Sequence, residues 1–123
     1  SMLGEIEDEL DVDIEPEKPA EGKQIMIPGY TSMVMKENTK EQTVSIGNPA
    51  DNTCNFIIVL KLADGTKLFE SEELKPGEGL EEISIEQELE TGEYQAVIEY
   101  KCYAIEDNSP LNGGSTEFQL YVK

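Results

Sequence analysis

Paired carboxylates are the residues of this chain whose types and spacing come closest to catalytic chemistry. Glu72-Glu73 and Glu81-Glu82 each place two acids side by side. Two carboxyl groups are what a glycoside hydrolase uses as its acid and its base or nucleophile. The chain holds 27 acids, so adjacent pairs arise by chance, and both pairs flank the turn predicted at Pro76-Gly77. We therefore interpret them as a solvated surface.

Oxygen-rich loops are the second feature that could support chemistry. Asp51-Asn52 and Glu106-Asp107-Asn108 offer the carboxylate and amide oxygens that Ca²⁺ prefers. Their spacing lacks the alternation of a calcium loop, and Asp and Asn are also ordinary turn residues. A weak calcium- or carbohydrate-binding module is therefore kept only as a further alternative. No metal and no other cofactor is predicted.

Histidine and arginine are absent from the chain. Without histidine, the Ser-His and Cys-His arrangements of nucleophilic catalysis and the usual histidine metal sites cannot form. Asn112-Gly113-Gly114 is unlike a phosphate-binding loop, since no Lys-Ser or Lys-Thr pair follows it. The sequence therefore predicts no catalytic residue and a protein that is not an enzyme.

The charge balance limits the classes of partner. The chain has 27 acids against 9 lysines, a net charge of −18. Nucleic acids and anionic membrane surfaces would be repelled by this charge, whereas basic proteins would be attracted. No apolar stretch approaches the roughly 18 residues of a membrane span. We expect a protein partner, with basic proteins favoured by the charge, and neither nucleic acid nor a transmembrane segment; the oligomeric state stays open.

Two regions differ in composition along the 123 residues. Residues 1–23 are rich in acids, with few apolar residues and two prolines, which predicts a flexible acidic tether. Its first two residues, Ser1-Met2, could be a remnant of recombinant expression. Residues 24–123 carry regular apolar patterns and are predicted to form one domain.

The elements of this domain are predicted from apolar residues that recur with a period of two. The clearest stretch is 90–104, where Tyr94 to Cys102 alternate with polar residues. Asp64-Gly65 suggests a type I′ hairpin turn that places Leu60 opposite Phe69. We expect further strands at 25–27 with a continuation at 33–35, and at 41–46, 54–62, 66–71, 80–89 and 116–122, and a long polar loop at 106–114. About seven strands without a helical period predict an all-β fold with two antiparallel sheets in a sandwich.

Four short motifs occur in an order that resembles known sandwich modules. They are Val44-x-Ile46-x-Asn48-Pro49, Leu62-x-Asp64-Gly65, Leu74-x-Pro76-Gly77 and Leu89-x-x-Gly92-x-Tyr94. Residues 24–123 resemble the immunoglobulin-like and fibronectin-type β-sandwich modules of secreted or lipid-anchored bacterial surface proteins. The same order is similar to that of bacterial proteinase inhibitors built on a related sandwich.

The resemblance implies an immunoglobulin-like fold on the outside of a bacterial cell, tethered to the surface. It also implies a structural corner, in which Leu89 and Gly92 precede a tyrosine, Tyr94, that bonds back to the preceding turn. The chain departs from antibody domains because it has no tryptophan, and because Cys54 stands at the start of the third strand and not on the second.

A disulfide between Cys54 and Cys102 follows from the same resemblance. In such a sandwich the third and sixth strands are antiparallel neighbours, so the start of one lies beside the end of the other. A bond there would indicate an oxidising compartment. The alternative is two buried thiols that act as small apolar residues.

Two surfaces are candidates for binding. Val97, Tyr103 and Tyr121 have outward parity on strands expected to be neighbours, which could create an exposed apolar patch. The alternative is that they simply occupy β positions. The loop candidates are Asp51, Asn52, Asn108, Leu111 and Asn112. We expect a non-enzymatic protein-interaction or adhesion-type module, with a sandwich-type proteinase inhibitor as the alternative.

Overall fold

The computed structural model describes residues 25–123, and this part of the chain forms seven β-strands with no helix. The acidic tether predicted for residues 1–23 and the domain boundary at 24 lie outside the described residues. The strands are β1 (Ser32–Met35), β2 (Glu41–Gly47), β3 (Cys54–Leu62), β4 (Lys67–Glu70), β5 (Gly79–Ser84), β6 (Gly92–Ala104) and β7 (Pro110–Val122).

The strands form two sheets, one with the order β1-β7-β6-β3-β4 and one with the pair β2-β5. Neighbouring strands are antiparallel except β1, which runs parallel to β7. The inner faces of the two sheets share one hydrophobic core, an arrangement compatible with a β-sandwich. The predicted all-β fold of about seven strands is confirmed.

Alternation along the strands explains the core. On β2, Val44 and Ile46 are buried while Thr43 and Ser45 are exposed. Opposite them, the large sheet contributes a central group of fully buried side chains: Phe56, Ile58, Leu60, Ile98 and Leu120. Burying one such side chain contributes about 1.5–3 kcal/mol to folding, so this interior is the main source of the domain's stability.

The hairpin between β3 and β4 has the predicted pairing but a different turn. Leu60 pairs with Phe69, as expected. Only Gly65 has positive φ in the turn, at 98°, and its N–H bonds the carbonyl of Leu62 at 2.9 Å. A type I′ turn needs two positive φ values, so that assignment was wrong. A bulge between Leu60 and Lys61 restores the register.

Strand β7 is longer than predicted, because it begins at Pro110 and not at residue 116. The expected loop at 106–114 therefore shrinks to a short turn between β6 and β7. Tyr100 pairs with Gly114 and Cys102 with Leu111, so β7 carries one extra residue there, a β-bulge at Asn112 and Gly113.

The predicted disulfide is not formed in the structure. Cys54 pairs with Ala104, and Cys102 pairs with Phe56, so the two cysteines are diagonal neighbours on adjacent strands. Diagonal side chains lie about 7–8 Å apart, whereas a disulfide needs Cβ atoms about 3.5–4.5 Å apart. The two strands are antiparallel neighbours as expected, and the cysteines are both buried but not bonded to each other.

Two hydroxyl groups inside the domain converge on one backbone acceptor. Tyr100 donates to the carbonyl of Pro28 at 3.3 Å, and Thr116 donates to the same oxygen at 3.0 Å. Burial, with the nearby Tyr30 as a smaller cause, raises the pKa of Tyr100 well above its usual value of 10.0. The protonated hydroxyl is thus a feature of the folded state.

We expect the domain to lose stability steeply in alkali. An unfolded tyrosine releases its proton near pH ~10, while folded Tyr100 keeps it, so the folded state binds more protons above that pH and its stability falls as the pH rises. Urea unfolding at neutral pH and above pH ~10 measures the effect. In Tyr100→Phe the fall with pH should be shallower, and an equally steep fall would contradict this assignment.

Candidate functional site

A buried network of amide groups holds the loop between β2 and β3. The Asn48 side chain is 0% exposed; its Nδ2 donates to the carbonyls of Cys54 at 2.9 Å and Leu74 at 3.0 Å. Its Oδ1 accepts from Asn52 Nδ2 at 2.8 Å. Every partner of this amide is a buried polar group, so the network fixes the loop against the end of the sandwich.

Asn52, a predicted binding residue, belongs to this network. Its Nδ2 donates to the Met26 carbonyl and its Oδ1 accepts from the Met26 N–H, each at 3.0 Å. Asn52 is only 6% exposed. Its side chain therefore fastens the segment before β1 to the loop, and of the predicted pair Asp51-Asn52 only Asp51 is exposed.

The three outward residues proposed as one apolar patch lie far apart. Val97 pairs with Glu117, Tyr103 with Pro110, and Tyr121 with Glu93. Strands rise about 3.3 Å per residue, so along the sheet Tyr103 lies about 20 Å from Val97 and about 30 Å from Tyr121. The structure does not bring these residues together into a single site.

Ion pairs cross the outer face of the large sheet between its apolar residues. Lys61 contacts Glu99 at 3.2 Å, and Glu70 contacts both Lys67 at 2.9 Å and Lys101 at 3.6 Å. The hydrogen bond from Lys67 lowers the pKa of Glu70 and raises that of Lys67. These side chains flank Val97 and Val59, and they explain why Val59 is buried although its parity is outward.

The turn between β6 and β7, which we call the hairpin tip (residues 105–109), is ordered by backbone bonds. The N–H of Ala104 donates to the Ser109 carbonyl at 2.8 Å, and the N–H of Asn108 donates to the Ala104 carbonyl at 2.9 Å. Asn108 has φ of 61°, the left-handed region that asparagine tolerates. This predicted binding residue therefore shapes the turn.

An exposed isoleucine is the most unusual feature of the hairpin tip. Ile105 is 51% exposed and directly follows the last residue of β6. Tyr103 and Leu111 are half-buried on the flanking strands, while Asn112 is exposed in the bulge. Since Cys54 pairs with Ala104, the loop that holds Asp51 leaves the sheet at the same end. The sequence interpretation missed Ile105; its signal was a large aliphatic residue immediately before a polar turn.

The corner at the opposite end of β6 is made by the residues named for it. The Tyr94 hydroxyl donates to the Glu90 carbonyl at 2.7 Å. Leu89 is buried, and a Cβ added at Gly92 would lie 3.6 Å from the Tyr94 ring. These contacts are structural, because the hydroxyl is used within the turn.

Acidic residues do not converge on a metal site in the part of the chain that the structure describes. Within residues 25–123 no three Cys, Asp or Glu side chains are grouped as ligands. A depression of about 450 Å³ lies on the small sheet, and its lining includes Ser45, Gly47, Glu78, Gly79 and Glu81.

Residues 25–123 include no helix that could cross a bilayer. Compared with models of known protein families, with curated proteins and with solved structures, the chain matches none of them.

Proposed function

We propose that residues 24–123 are a non-enzymatic, immunoglobulin-like module that recognises another protein outside a bacterial cell. The immunoglobulin-like assignment is supported by the strand order, in which the first strand runs parallel to the last and β2 pairs with β5. The corner hydrogen bond of Tyr94 agrees with the same assignment. Location at the cell surface, on the acidic tether, rests on the resemblance described above.

The hairpin tip is the proposed binding surface, and the exposure of Ile105 is the observation that carries it. A large aliphatic side chain at 51% exposure gains little by folding alone, whereas a partner could bury it and gain about 1 kcal/mol or more. The tip extends from two strands of 13 residues each, so its backbone is supported by the whole sheet. A supported apolar anchor is what interface hot spots use.

The charges near this anchor favour a basic partner. Asp51, Glu106 and Asp107 are exposed and lie at the same end of the sandwich. Carboxylates at the rim of an apolar contact attract lysines and arginines and raise the association rate, more strongly at low salt. We therefore propose a partner with an apolar pocket surrounded by basic residues.

Photocrosslinking from the hairpin tip tests this proposal. A photoreactive amino acid replaces Ile105 in one sample and the exposed Glu88, at the opposite end of the domain, in the matched control. With intact cells of the encoding organism, we expect a saturable product from position 105 only. Excess unlabelled wild-type domain should compete for it, while excess Ile105→Asp should not. Equal products from both positions would refute the hairpin tip as the binding surface.

A proteinase inhibitor is the second candidate, favoured by the hydrogen bonds that close the hairpin tip. A pre-ordered loop loses little conformational entropy when it enters a cleft. Assays against a panel of serine, cysteine and metalloproteases decide between the two candidates. Micromolar inhibition that Ile105→Asp abolishes would establish the inhibitor, and no inhibition at that concentration would exclude it for the proteases assayed.

A further inference from the structure

Strand β1 is an edge of the large sheet, and its backbone N–H and C=O groups point alternately towards β7 and away from it. The carbonyls of Thr31 and Met35 accept bonds from β7, from Gln119 N–H at 3.0 Å and Lys123 N–H at 3.1 Å. The backbone groups of even-numbered residues therefore point away from β7. Across residues 25–123, no hydrogen bond is made to the outward backbone groups of Ser32 or Val34.

The edge is closed at one end by a side chain. The outward N–H of Lys36 donates to Gln42 Oε1 at 2.8 Å, and Gln42 Nε2 donates to the Lys36 carbonyl at 2.9 Å. The Gln42 amide thus occupies the place of one residue of a neighbouring strand. Within residues 25–123, the outward donors and acceptors of β1 that have no hydrogen bond are those of Ser32 and Val34.

This edge also lacks the charges that usually protect an edge strand. The residues of β1 are Ser32, Met33, Val34 and Met35, none of them ionisable, whereas each of the other edge strands, β2, β4 and β5, contains at least one glutamate. Val34 is 53% exposed and lies beside Tyr121, which is 36% exposed. An uncharged edge with an exposed apolar row favours the addition of another strand.

We propose that β1 pairs with β1 of a second copy of this chain, antiparallel, about a two-fold axis beside Met33. In that register Ser32 of each copy faces Val34 of the other, and both outward donors and acceptors of each copy are used in four hydrogen bonds. A shift towards Lys36 is blocked because Gln42 already occupies its groups. The two large sheets become one sheet of ten strands.

The exposed side chains agree with the same register. Val34 and Tyr121 lie on the outer face. The two-fold axis brings the Val34 side chains of the two copies into diagonal contact, with a Tyr121 flanking each. The interface is isologous, which means that the same uncharged strand forms the contact surface on both copies. The proposal is independent of the hairpin tip, which lies at the other end of β7.

The dimer should be weak and should tighten with salt. Four hydrogen bonds and two apolar rows make a contact well below the roughly 1,000 Å² of stable interfaces. Each copy carries a net charge of −18, and the mutual repulsion is screened as salt rises. Sedimentation velocity from low micromolar to millimolar protein, at low and high salt, should reveal a dimer fraction that grows with both. A monomer under every condition would overturn the proposal.

Two variants locate the interface. Val34→Pro removes an outward N–H without removing a bond to β7; because two N–H groups are lost per dimer, association should weaken about 30-fold. Val34→Lys places two like charges in contact, whereas Ala63→Lys adds the same charge at the exposed β3–β4 turn. Circular dichroism identifies any variant that does not fold.

The lysine pair keeps the test decisive if Val34→Pro is unfolded. We expect Val34→Lys to abolish the dimer and Ala63→Lys to preserve it. Amide exchange should slow at Ser32 and Val34 as protein concentration rises in the wild-type chain. Equal association of the two lysine variants, or exchange at Ser32 and Val34 that ignores concentration, would assign the contact to another surface and refute this one.

Discussion

Asn48→Asp should destabilise the domain by about 4 kcal/mol at neutral pH, although the two side chains have nearly the same shape. The substitution removes the donors that now satisfy the carbonyls of Cys54 and Leu74, and a buried acceptor left unsatisfied costs about 1–3 kcal/mol. It also adds a carboxylate where the native side chain is 0% exposed. Urea unfolding at neutral pH measures the loss.

The pH dependence and a matched variant separate this explanation from a general charge effect. Burial beside two carbonyl oxygens should raise the pKa of the introduced carboxyl. A raised folded-state pKa means that the variant is least impaired in acid and loses stability as the pH rises past ~4. Asn112→Asp makes the same chemical change at an exposed position and should stay within about 0.5 kcal/mol of wild type. Equal effects of the two substitutions would contradict the network.

Gly113→Ala should cost about 3 kcal/mol, because the β-bulge leaves no room for a side chain. An added Cβ would lie 2.0 Å from the carbonyl oxygen of Tyr100 and 3.2 Å from its carbonyl carbon. Both atoms belong to the backbone of the neighbouring strand, so relief requires β6 and β7 to separate. Thermal unfolding measures the total loss, and amide exchange of residues 100–115 should accelerate first.

Two other glycines provide a graded comparison for that clash. At Gly114 an added Cβ would approach Ile27 Cγ1 to 3.1 Å, a contact that a side chain can partly relieve. At Gly92 the nearest atom would be Tyr94 Cε1 at 3.6 Å, an ordinary contact. We expect the losses to decrease from Gly113→Ala to Gly114→Ala to Gly92→Ala. If Gly92→Ala lost as much stability as Gly113→Ala, the loss would come from replacing any strand glycine and not from the clash in the bulge.

The sequence predicts which residues are buried better than it predicts which strands pair. The strand predicted at 80–89 rests on an apolar alternation that includes Ile83, Ile85 and Leu89, and all three are buried. The strand that was to carry them ends at Ser84. After it, Ile85 N–H bonds the Lys40 carbonyl and Glu86 N–H bonds the Leu68 carbonyl. Buried and exposed residues continue to alternate here while the backbone changes its hydrogen-bond partners. An apolar period of two therefore does not say which segment the backbone pairs with.

The first part of β7, residues 110–115, and the structural role of Asn48 were missed because their signals depend on distant residues. The stretch 110–115 is polar and rich in glycine, yet backbone pairing with β6 does not need apolar side chains. Asn48 has the composition of a turn residue, and its burial depends on Leu74, 26 residues away. The candidate site shows the same limit. Asn52 was predicted to bind a partner but is buried in the amide network, whereas Ile105 was not predicted and is exposed.

The parallel pairing of β1 with β7 has a consequence for how the chain acquires its structure. Ser32 meets Gln119 only after 86 intervening residues have been placed, so this contact closes the longest loop of the large sheet and should form late. During synthesis β1 emerges from the ribosome long before its partner strand exists. Strand β1, the edge strand without charged residues, therefore stays unpaired longest during folding. Refolding at high protein concentration should favour exchange of β1 between copies.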